Sequence, residues 1–402
     1  MPQNEKLRRA LNAPMLTLYG LGVTVGAGIY VLVGATAAQA GPYAPVAFLL
    51  AAIVVGFTAF SYAELSTRYP VSAGEAAYVE AGFGVNWLTT LVGLAVAASG
   101  VISAAAVSIG AASYLHPLTG IAEDQLVIGV VAIMGLIAIW GITQSVTIAA
   151  VITIIEVSGL ALVIYWGFGV AEPVGVAPAQ MIPPLQGPHW VGIGTASLLA
   201  FFAFVGFEDM ANVAEEVKDP ARTMPRAIIW TLVLATIIYI ATTSAVIFSV
   251  PLDVLAASAA PLALVFAAAP AGIQQGFAVV AVVATVNGIL IQMIMASRVI
   301  YGMADRGHLP GMLAAVSPRT QTPVLATVCV ALVIMTLALA FPIAALAART
   351  SQVVLAIFAV VNVALISIKR SSELDIAYFR VPIIVPYLGL ASSIVLFGVS
   401  FL

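Results

Sequence analysis

The sequence predicts an all-α, polytopic membrane protein. Its 402 residues include only 14 Lys+Arg and 17 Asp+Glu, a charged fraction of 8%, whereas a soluble domain has about 25%. Hydrophobic residues make up 62% of the chain, and the mean hydropathy is +1.14. So few charges cannot cover the surface of a soluble protein of this size. The apolar runs also lack the polar alternation that a β-barrel requires, so the spans are predicted to be helices.

A helix needs about 20 apolar residues to cross a bilayer, and eleven segments of the chain meet this requirement. Proline, glycine and clustered charges mark their ends. We predict one transmembrane domain over residues 1–402. Its spans are at 13–39, 43–66, 86–115, 125–143, 146–169, 192–214, 227–250, 272–302, 323–341, 351–368 and 382–402.

The charged loops predict the orientation. If the eleven spans alternate, the basic residues fall on one side of the membrane, and only Arg349 falls on the other. By the positive-inside rule the basic side is cytoplasmic. The N terminus is then cytoplasmic, and the odd number of spans places Leu402 outside. The basic residues on the cytoplasmic side are Lys6, Arg8, Arg9, Arg68, Lys218, Arg222, Arg226, Arg298, Arg306, Arg319, Lys369, Arg370 and Arg380.

Glycines interrupt two spans that lie five helices apart. Span 1 contains TVGAGI at 24–29, and span 6 contains FVGFE at 204–208. An offset of five helices reverses the direction through the membrane, as in two inverted five-helix repeats. Broken helices at matching places in such halves point to a binding site at the membrane midplane. The alternative is that glycine only allows close helix packing, as Gly22 and Gly26 do in GxxxG spacing. The predicted parts are a first repeat at about 13–169, a second at about 192–368 and an accessory helix at about 382–402.

The sequence argues against an enzyme, a metal centre and a cofactor. It has one cysteine, Cys329, and three scattered histidines, so neither a disulfide framework nor a Cys/His metal cage is expected. The sequence contains no HExxH, CxxC or phosphate-binding loop motif. We expect no cofactor, no protein-bound metal and no nucleic-acid partner, and we expect the lipid bilayer to surround the helices.

Five segments carry a family resemblance. Together they resemble the signatures of the amino acid–polyamine–organocation permeases. The resemblance implies a leucine-transporter-like fold of ten core helices in two inverted repeats plus accessory helices, and secondary-active uptake of amino acids across the cell membrane by alternating access. Members usually have twelve spans, whereas eleven are predicted here. The segments are GAGIY at 26–30, SYAEL at 61–65, PVSAGE at 70–75, FVGFEDMANVAEEVKDPARTMP at 204–225 and SRVIYGMADRGHLP at 297–310.

An unwound turn inside a membrane must line a polar cavity, because lipid cannot satisfy its free amides and carbonyls. The amides that begin a half-helix favour a carboxylate, the carbonyls that end one favour an ammonium, and an amino acid carries both groups. Glycine at 26 and 28 leaves space for the main-chain atoms of the substrate. The predicted amide ligands, which the resemblance also implies, are Gly26, Ala27, Gly28 and Ile29. The predicted carbonyl ligands are Val23, Ala203, Phe204 and Val205.

Aromatic residues surround the second break, and Phe202 or Phe204 is predicted to close over the substrate as a gate. The resemblance favours an aromatic gate without deciding which ring forms it. Phe201 and Phe207 lie in the same stretch. The alternative is that all these rings only pack against lipid or neighbouring helices.

Two acidic residues inside spans are candidates for coupling transport to a proton or an ion, because ionisable groups in lipid are costly and usually functional. Glu156 lies in the middle of span 5, where the resemblance implies that proton-coupled relatives often carry a lysine. Glu208 follows the second break, where it is also a candidate to attract the substrate amine. A protonated Glu156 would donate a hydrogen bond to span 1 carbonyls, whereas an ionised one would hold Na+ or a basic group. The alternative for both residues is a structural hydrogen bond between helices.

Other polar residues receive smaller roles. Asn287, Ser158 and Thr285 are candidates to line the cavity or to link helices. Glu64, at the cytoplasmic end of span 2, is expected to be solvated or to cap its helix. The functional alternatives are a sodium-coupled transporter of amino acids or amines, and an ion channel or amino acid receptor built on the same fold.

Overall fold

A computed structural model describes residues 11–71, 74–140, 146–185, 187–305, 307, 309–317, 322–371 and 379–401. The basic residues Lys6, Arg8, Arg9, Arg306 and Arg319 lie outside these ranges. The described chain is helical and contains fourteen α-helices. They are α1 (Ala13–Thr24), α2 (Ala27–Ala40), α3 (Ala44–Arg68), α4 (Gly74–Phe83), α5 (Asn86–Thr119), α6 (Glu123–Trp140), α7 (Val146–Gly169), α8 (His189–Phe202), α9 (Pro220–Ser249), α10 (Leu252–Ala256), α11 (Ala271–Asp305), α12 (Val324–Ala340), α13 (Ile343–Ser371) and α14 (Ile384–Val399). Short 3-10 helices lie at Gly41–Tyr43, Pro178–Met181, Phe207–Glu216, Pro261–Phe266 and Gly311–Ala314.

Seven helical stretches of the described chain are long and apolar enough to cross a membrane. One of them, Gly28–Arg68, includes both α2 and α3. The helices α12 and α14 are apolar but shorter, with 17 and 16 residues. The protein is therefore an all-helical, multi-pass membrane protein, as predicted, while the count of eleven spans stays a prediction.

The segments assigned to spans 1 and 6 are both interrupted at their glycines. In the first segment, α1 ends at Thr24 and α2 begins at Ala27. In the second, α8 ends at Phe202, and the chain passes through turns at 203–206 into a ten-residue 3-10 helix at Phe207–Glu216. Long 3-10 helices are uncommon, because their hydrogen bonds are poorly aligned, and they often mark a hinge.

Helices from the two halves of the chain pack in pairs. The helix α2 contacts α8, α3 contacts α9, α5 contacts α11, and α6 contacts α12. In the order of the predicted spans, these are pairs 1 and 6, 2 and 7, 3 and 8, and 4 and 9. The helix α9 also packs on α1 and α7. This packing places α9 beside the two interrupted segments.

Candidate functional site

The first break leaves backbone amides free at the start of α2. The first turn of a helix has N–H groups with no partner inside the helix, and the amides of Gly28 and Ile29 donate to no acceptor within the described residues. Both residues are buried. The side chain of Ala27 lies outside the described part of the chain. Because the helix dipole adds partial positive charge here, this position suits a carboxylate.

The second break leaves backbone carbonyls free. The amides of Phe204 and Val205 donate to Phe201 and Phe202 at 2.9 and 3.1 Å. Across the described chain, no backbone amide donates to the carbonyls of Phe204 and Val205 themselves. The amide of Gly206 donates to Oε2 of Glu208 at 2.9 Å, beside this turn. Two free carbonyls in this turn suit an ammonium group.

The two breaks contact each other through glycine. Gly206 has a φ of 120°, in the left-handed region that favours glycine, and a Cβ there would lie 2.8 Å from the carbonyl oxygen of Val23. A Cβ on Gly28 would lie 2.5 Å from the Cα of Ala203. The sequence interpretation reserved the space at Gly28 for the substrate. That assignment is wrong for this conformation, because the Ala203 backbone already fills the space.

A tyrosine that sequence reasoning missed bridges the two breaks. The hydroxyl group of Tyr239, on α9, lies 2.7 Å from the carbonyl oxygen of Thr24 and 2.7 Å from that of Ala203. One hydroxyl proton serves one acceptor at a time, so the two carbonyls share a single donor. The carbonyl of Ala203, a predicted ammonium ligand, is therefore occupied by a side chain in this conformation.

The phenylalanines around the second break are all buried, each with at most 4% of its surface exposed. The lipid-facing alternative for these rings is therefore wrong. The ring of Phe204 packs edge-on against Tyr239, with centroids 4.9 Å apart. Sequence reasoning also missed Phe358 on α13, whose ring lies 5.4 to 5.7 Å from two of the four. The four phenylalanines are Phe201, Phe202, Phe204 and Phe207.

Glu156 is fully buried on α7. The side-chain amide of Asn287, on α11, donates to its Oε1 at 3.4 Å, and its Oε2 has no hydrogen-bond partner within the described residues. The predicted hydrogen bond from this carboxyl to span 1 carbonyls is not found. Instead, span 1 presents a donor: the Tyr30 hydroxyl donates to the backbone carbonyl of Glu156 at 2.6 Å. One oxygen of this buried carboxyl group, Oε2, is therefore left without a hydrogen bond to the described residues.

The other three polar candidates lie in different environments. Asn287 is buried and contacts Glu156, as described above. The hydroxyl of Thr285 donates to Ala281, one turn earlier in its own helix, at 2.9 Å. Ser158 is exposed on the outer surface of α7, so its predicted place in the cavity is wrong. It lies two positions from Glu156, a spacing that places residues on different faces of a helix.

Glu64 is neither solvated nor a helix cap, which corrects the sequence interpretation. Its carboxylate is fully buried and accepts from Arg68 and Lys369, each at 2.6 Å. The backbone N–H of Val381 also donates to it, at 2.8 Å. These contacts link α3 to the C-terminal end of α13 and to the segment before α14.

The structure has long apolar helices and two interrupted segments that contact each other, with free backbone donors and acceptors at the contact. These features define a class: multi-pass membrane proteins with discontinuous helices at a buried polar site. The sequence profile of the family described as "Amino acid permease" matches residues 13–402. The chain belongs to this family, whose members are transporters rather than enzymes. The resemblance inferred from the sequence motifs is confirmed.

Relatives of this chain carry different substrate names. It is similar to "Cationic amino acid transporter 2, vacuolar" of Arabidopsis thaliana, with 31% identity over 90% of this chain and 60% of that protein. It is similar to "Branched-chain amino acid permease BcaP" of Bacillus subtilis, with 27% identity over 98% of this chain and 88% of the relative. A "Methylthioribose transporter" of the same bacterium is 28% identical over 95% of this chain and 86% of its own length. The chain thus spans only 60% of the plant relative, and its substrate must be argued from its own residues.

Proposed function

We propose that this protein transports amino acids across the cell membrane as a secondary-active carrier that works by alternating access. The substrate carboxylate binds the free amides of Gly28 and Ile29, and its ammonium binds the carbonyls of Phe204 and Val205. One observation carries this proposal. The break with free donors and the break with free acceptors are in direct contact, at the Gly206 and Val23 backbones.

The alternation itself follows from two inverted repeats, one formed by predicted spans 1 to 5 and the other by spans 6 to 10. The packing of span 1 with 6, 2 with 7, 3 with 8 and 4 with 9 supports this arrangement, because helices next to a two-fold axis contact their symmetry mates across it. Motion of one helix group against the other then exposes the site first to one side and then to the other. The basic loops orient the start of span 1 toward the cytoplasm.

Coupling is assigned to a proton carried by Glu156. Its carboxyl group is buried, and its Oε2 lacks a hydrogen-bond partner within the described residues. A protonated carboxyl tolerates such a position far better than an ionised one, so loss of its proton is coupled to a rearrangement around it. Glu208 is the second candidate, because it accepts a hydrogen bond from the second break itself. Sodium coupling is the alternative, and replacing Na+ in a transport assay distinguishes it from proton coupling.

The test is uptake of labelled amino acids by the purified protein in sealed proteoliposomes. The proposal predicts accumulation above the external concentration when the external pH is lowered, and exchange of internal for external substrate without any gradient. A steady conductance without accumulation would indicate a channel, and binding without flux would indicate a receptor.

The same vesicles test the coupling ion. Proton coupling predicts that uptake follows the pH gradient and is indifferent to replacing Na+ with K+ or choline. Strict dependence on Na+ at constant pH and membrane potential would contradict it and assign Glu156 to an ion site, because oxygen ligands suit a hard cation.

A further inference from the structure

Three carboxyl groups from two different segments line one narrow cavity beside the second break. Glu75 comes from α4, whereas Glu208 and Asp209 come from the 3-10 helix that follows Gly206. Each side chain is nine-tenths or more buried, with 4 to 9% of its surface exposed. Val205, a predicted ammonium ligand through its carbonyl, also lines the cavity. The cavity therefore adjoins the proposed main-chain site.

The three carboxyl groups have few internal partners. The hydroxyl of Tyr62 donates to Oε1 of Glu75 at 3.1 Å, and the Gly206 amide donates to Oε2 of Glu208. The carboxyl group of Asp209 has no hydrogen bond to any part of the chain that the structure describes. No Lys, Arg or His is among the described residues that line the cavity. Several buried carboxylates without a countercharge repel one another, and a cation that enters relieves this repulsion.

A polar group outside the acidic cluster points to a ligand. Gln292, on α11, lines the cavity with 9% of its surface exposed. Its side-chain amide has no hydrogen-bond partner within the described ranges, although each amide offers both donors and an acceptor. A buried amide without partners is costly, so a polar ligand that hydrogen-bonds to it is favoured.

Apart from Ser99, whose hydroxyl donates to the Val96 carbonyl, the rest of the wall is apolar and is built mainly by α5, α11 and α13. Val96, Met295 and Phe358 are among its residues. Such a wall suits a chain of methylene groups, and the unbranched Met295 can adapt its shape as a ligand enters. No group of three or more His, Cys, Asp or Glu side chains in the described chain is arranged to hold a metal ion. The cavity of this conformation has a volume of about 10 Å³, enough for one water-sized group, so an organic cation on an aliphatic stem enters only when Met295 and its neighbours move apart.

We propose that this carboxylate cavity binds the cationic end of the substrate's side chain, so that the protein prefers amino acids of the lysine type. The inference rests on the proposed function and names its substrate class. The aliphatic stem lies against the apolar wall, and the ammonium is held by Asp209, Glu208 and the Gln292 side-chain carbonyl oxygen. A neutral side chain leaves these carboxyl groups without a countercharge.

The experiment compares labelled L-lysine with labelled L-norleucine, which has the same four-carbon stem without the ammonium, in exchange by proteoliposomes of the full chain. We expect the wild type to bind lysine at least about tenfold more tightly, the size of one charge-assisted hydrogen bond. Asp209→Asn and Gln292→Leu should each reduce this preference several-fold, with little change for norleucine. Asp253→Asn, at an exposed position on α10, is the matched control and should change neither substrate.

The outcomes are distinct. If norleucine exchanges as well as lysine in the wild type, the cavity does not select a cation, and the inference is overturned even though transport stands. If lysine, norleucine and the other amino acids all fail to exchange, the proposed function is contradicted, and so is the inference that rests on it. If Asp209→Asn does not yield a monodisperse protein, the lysine-to-norleucine ratio of the wild type and of Gln292→Leu still decides.

Discussion

The hydroxyl oxygen of Tyr239 lies 2.7 Å from the carbonyl oxygen of Thr24, at the end of α1. The same hydroxyl is equally close to the carbonyl of Ala203, so one side chain of α9 joins the two broken segments. The proposed site binds the substrate ammonium at the adjacent carbonyls of Phe204 and Val205. In the conformation described here the hydroxyl occupies the carbonyl of Ala203, another predicted ammonium ligand, and in this proposal it competes with the substrate for that carbonyl.

Replacing Tyr239 with Phe tests this competition. The ring contacts with Phe204 and Phe48 are kept, and only the hydroxyl is lost. We expect amino acid binding to become about two- to tenfold tighter, the equivalent of one net hydrogen bond. The substrate-free protein should unfold more easily, because two buried carbonyls lose their donor. Binding is measured by scintillation proximity and stability by thermal unfolding in detergent.

The matched control is Tyr114→Phe. The hydroxyl of Tyr114 donates at 2.6 Å to the backbone carbonyl of Tyr30, which lies within α2 and is not one of the carbonyls that end α1 or form the second break. This variant should lose stability by a similar amount without any gain in affinity. If both variants bind the substrate equally, Tyr239 is only a structural link.

The contact between Gly206 and Val23 predicts a second outcome. Gly206→Ala places a side chain in a left-handed backbone conformation, at a cost of about 1–3 kcal/mol, and against the Val23 carbonyl. We expect loss of exchange together with lower thermal stability. Gly56→Ala is the control, because a Cβ at that helical position meets no atom within 4 Å. It should leave transport intact and change stability by less than about 1 kcal/mol. Normal exchange by Gly206→Ala would contradict close contact between the breaks.

The buried ion pairs of Glu64 predict a large effect at the C-terminal end of α3. Glu64→Gln leaves Lys369, whose side chain is 11% exposed, without its countercharge, and should cost about 3–5 kcal/mol of unfolding free energy. Adding Lys369→Met should recover part of this loss. Arg222→Gln is the control, because its pair with Asp219 is 3.9 Å long and largely exposed, so it should cost less than about 1 kcal/mol. If the wild type and Glu64→Gln unfold at the same temperature in detergent, the buried ion pairs contribute no stability.

Glu156→Gln separates coupling from structure. Glutamine imitates the protonated carboxyl, keeping an acceptor for Asn287 but never losing a proton. If Glu156 carries the coupled proton, exchange should persist while accumulation driven by a pH gradient fails. If it is only a link between helices, every assay should match the wild type within the about 0.6 to 2 kcal/mol that such bonds contribute. The two outcomes are read from uptake and exchange at several pH values in the same vesicles.

Stability should also depend on pH through Glu75, which lies on α4, outside the predicted spans. Burial raises the pKa of its carboxyl above the ordinary value of 4.5. The folded protein therefore binds this proton more tightly than the unfolded chain, and stability falls as the pH rises above 4.5 toward the folded pKa. Glu75→Gln should make the unfolding temperature depend less on pH over this range. An unchanged slope would assign the pH dependence to Glu208, Asp209 or other groups.

Composition and glycine position were sufficient to predict the helical membrane fold and the two interrupted segments. Both depend on local properties: the length of an apolar run and the presence of glycine in the middle of one. The proposed backbone ligands follow from the same glycines, because the free amides and free carbonyls lie beside the breaks.

The side chains that surround the proposed site were not predictable in this way. Tyr239, Phe358 and Gln292 lie on three helices far along the chain, and nothing near them in sequence distinguishes them from ordinary packing residues. Glu64 was misassigned for the same reason, since Lys369 lies about 300 residues away and reaches it only through tertiary packing. Likewise, only packing reveals that Ala203 fills the space beside Gly28.

The most direct measurement is a cryo-electron microscopy structure of the full chain in a lipid nanodisc with saturating L-lysine. The proposed site predicts the substrate carboxylate within hydrogen-bond distance of the Gly28 and Ile29 amides, and the α-ammonium near the carbonyls of Phe204 and Val205, with the two breaks moved apart to admit them. Substrate density away from both breaks, or breaks still in contact beside a bound amino acid, would contradict it.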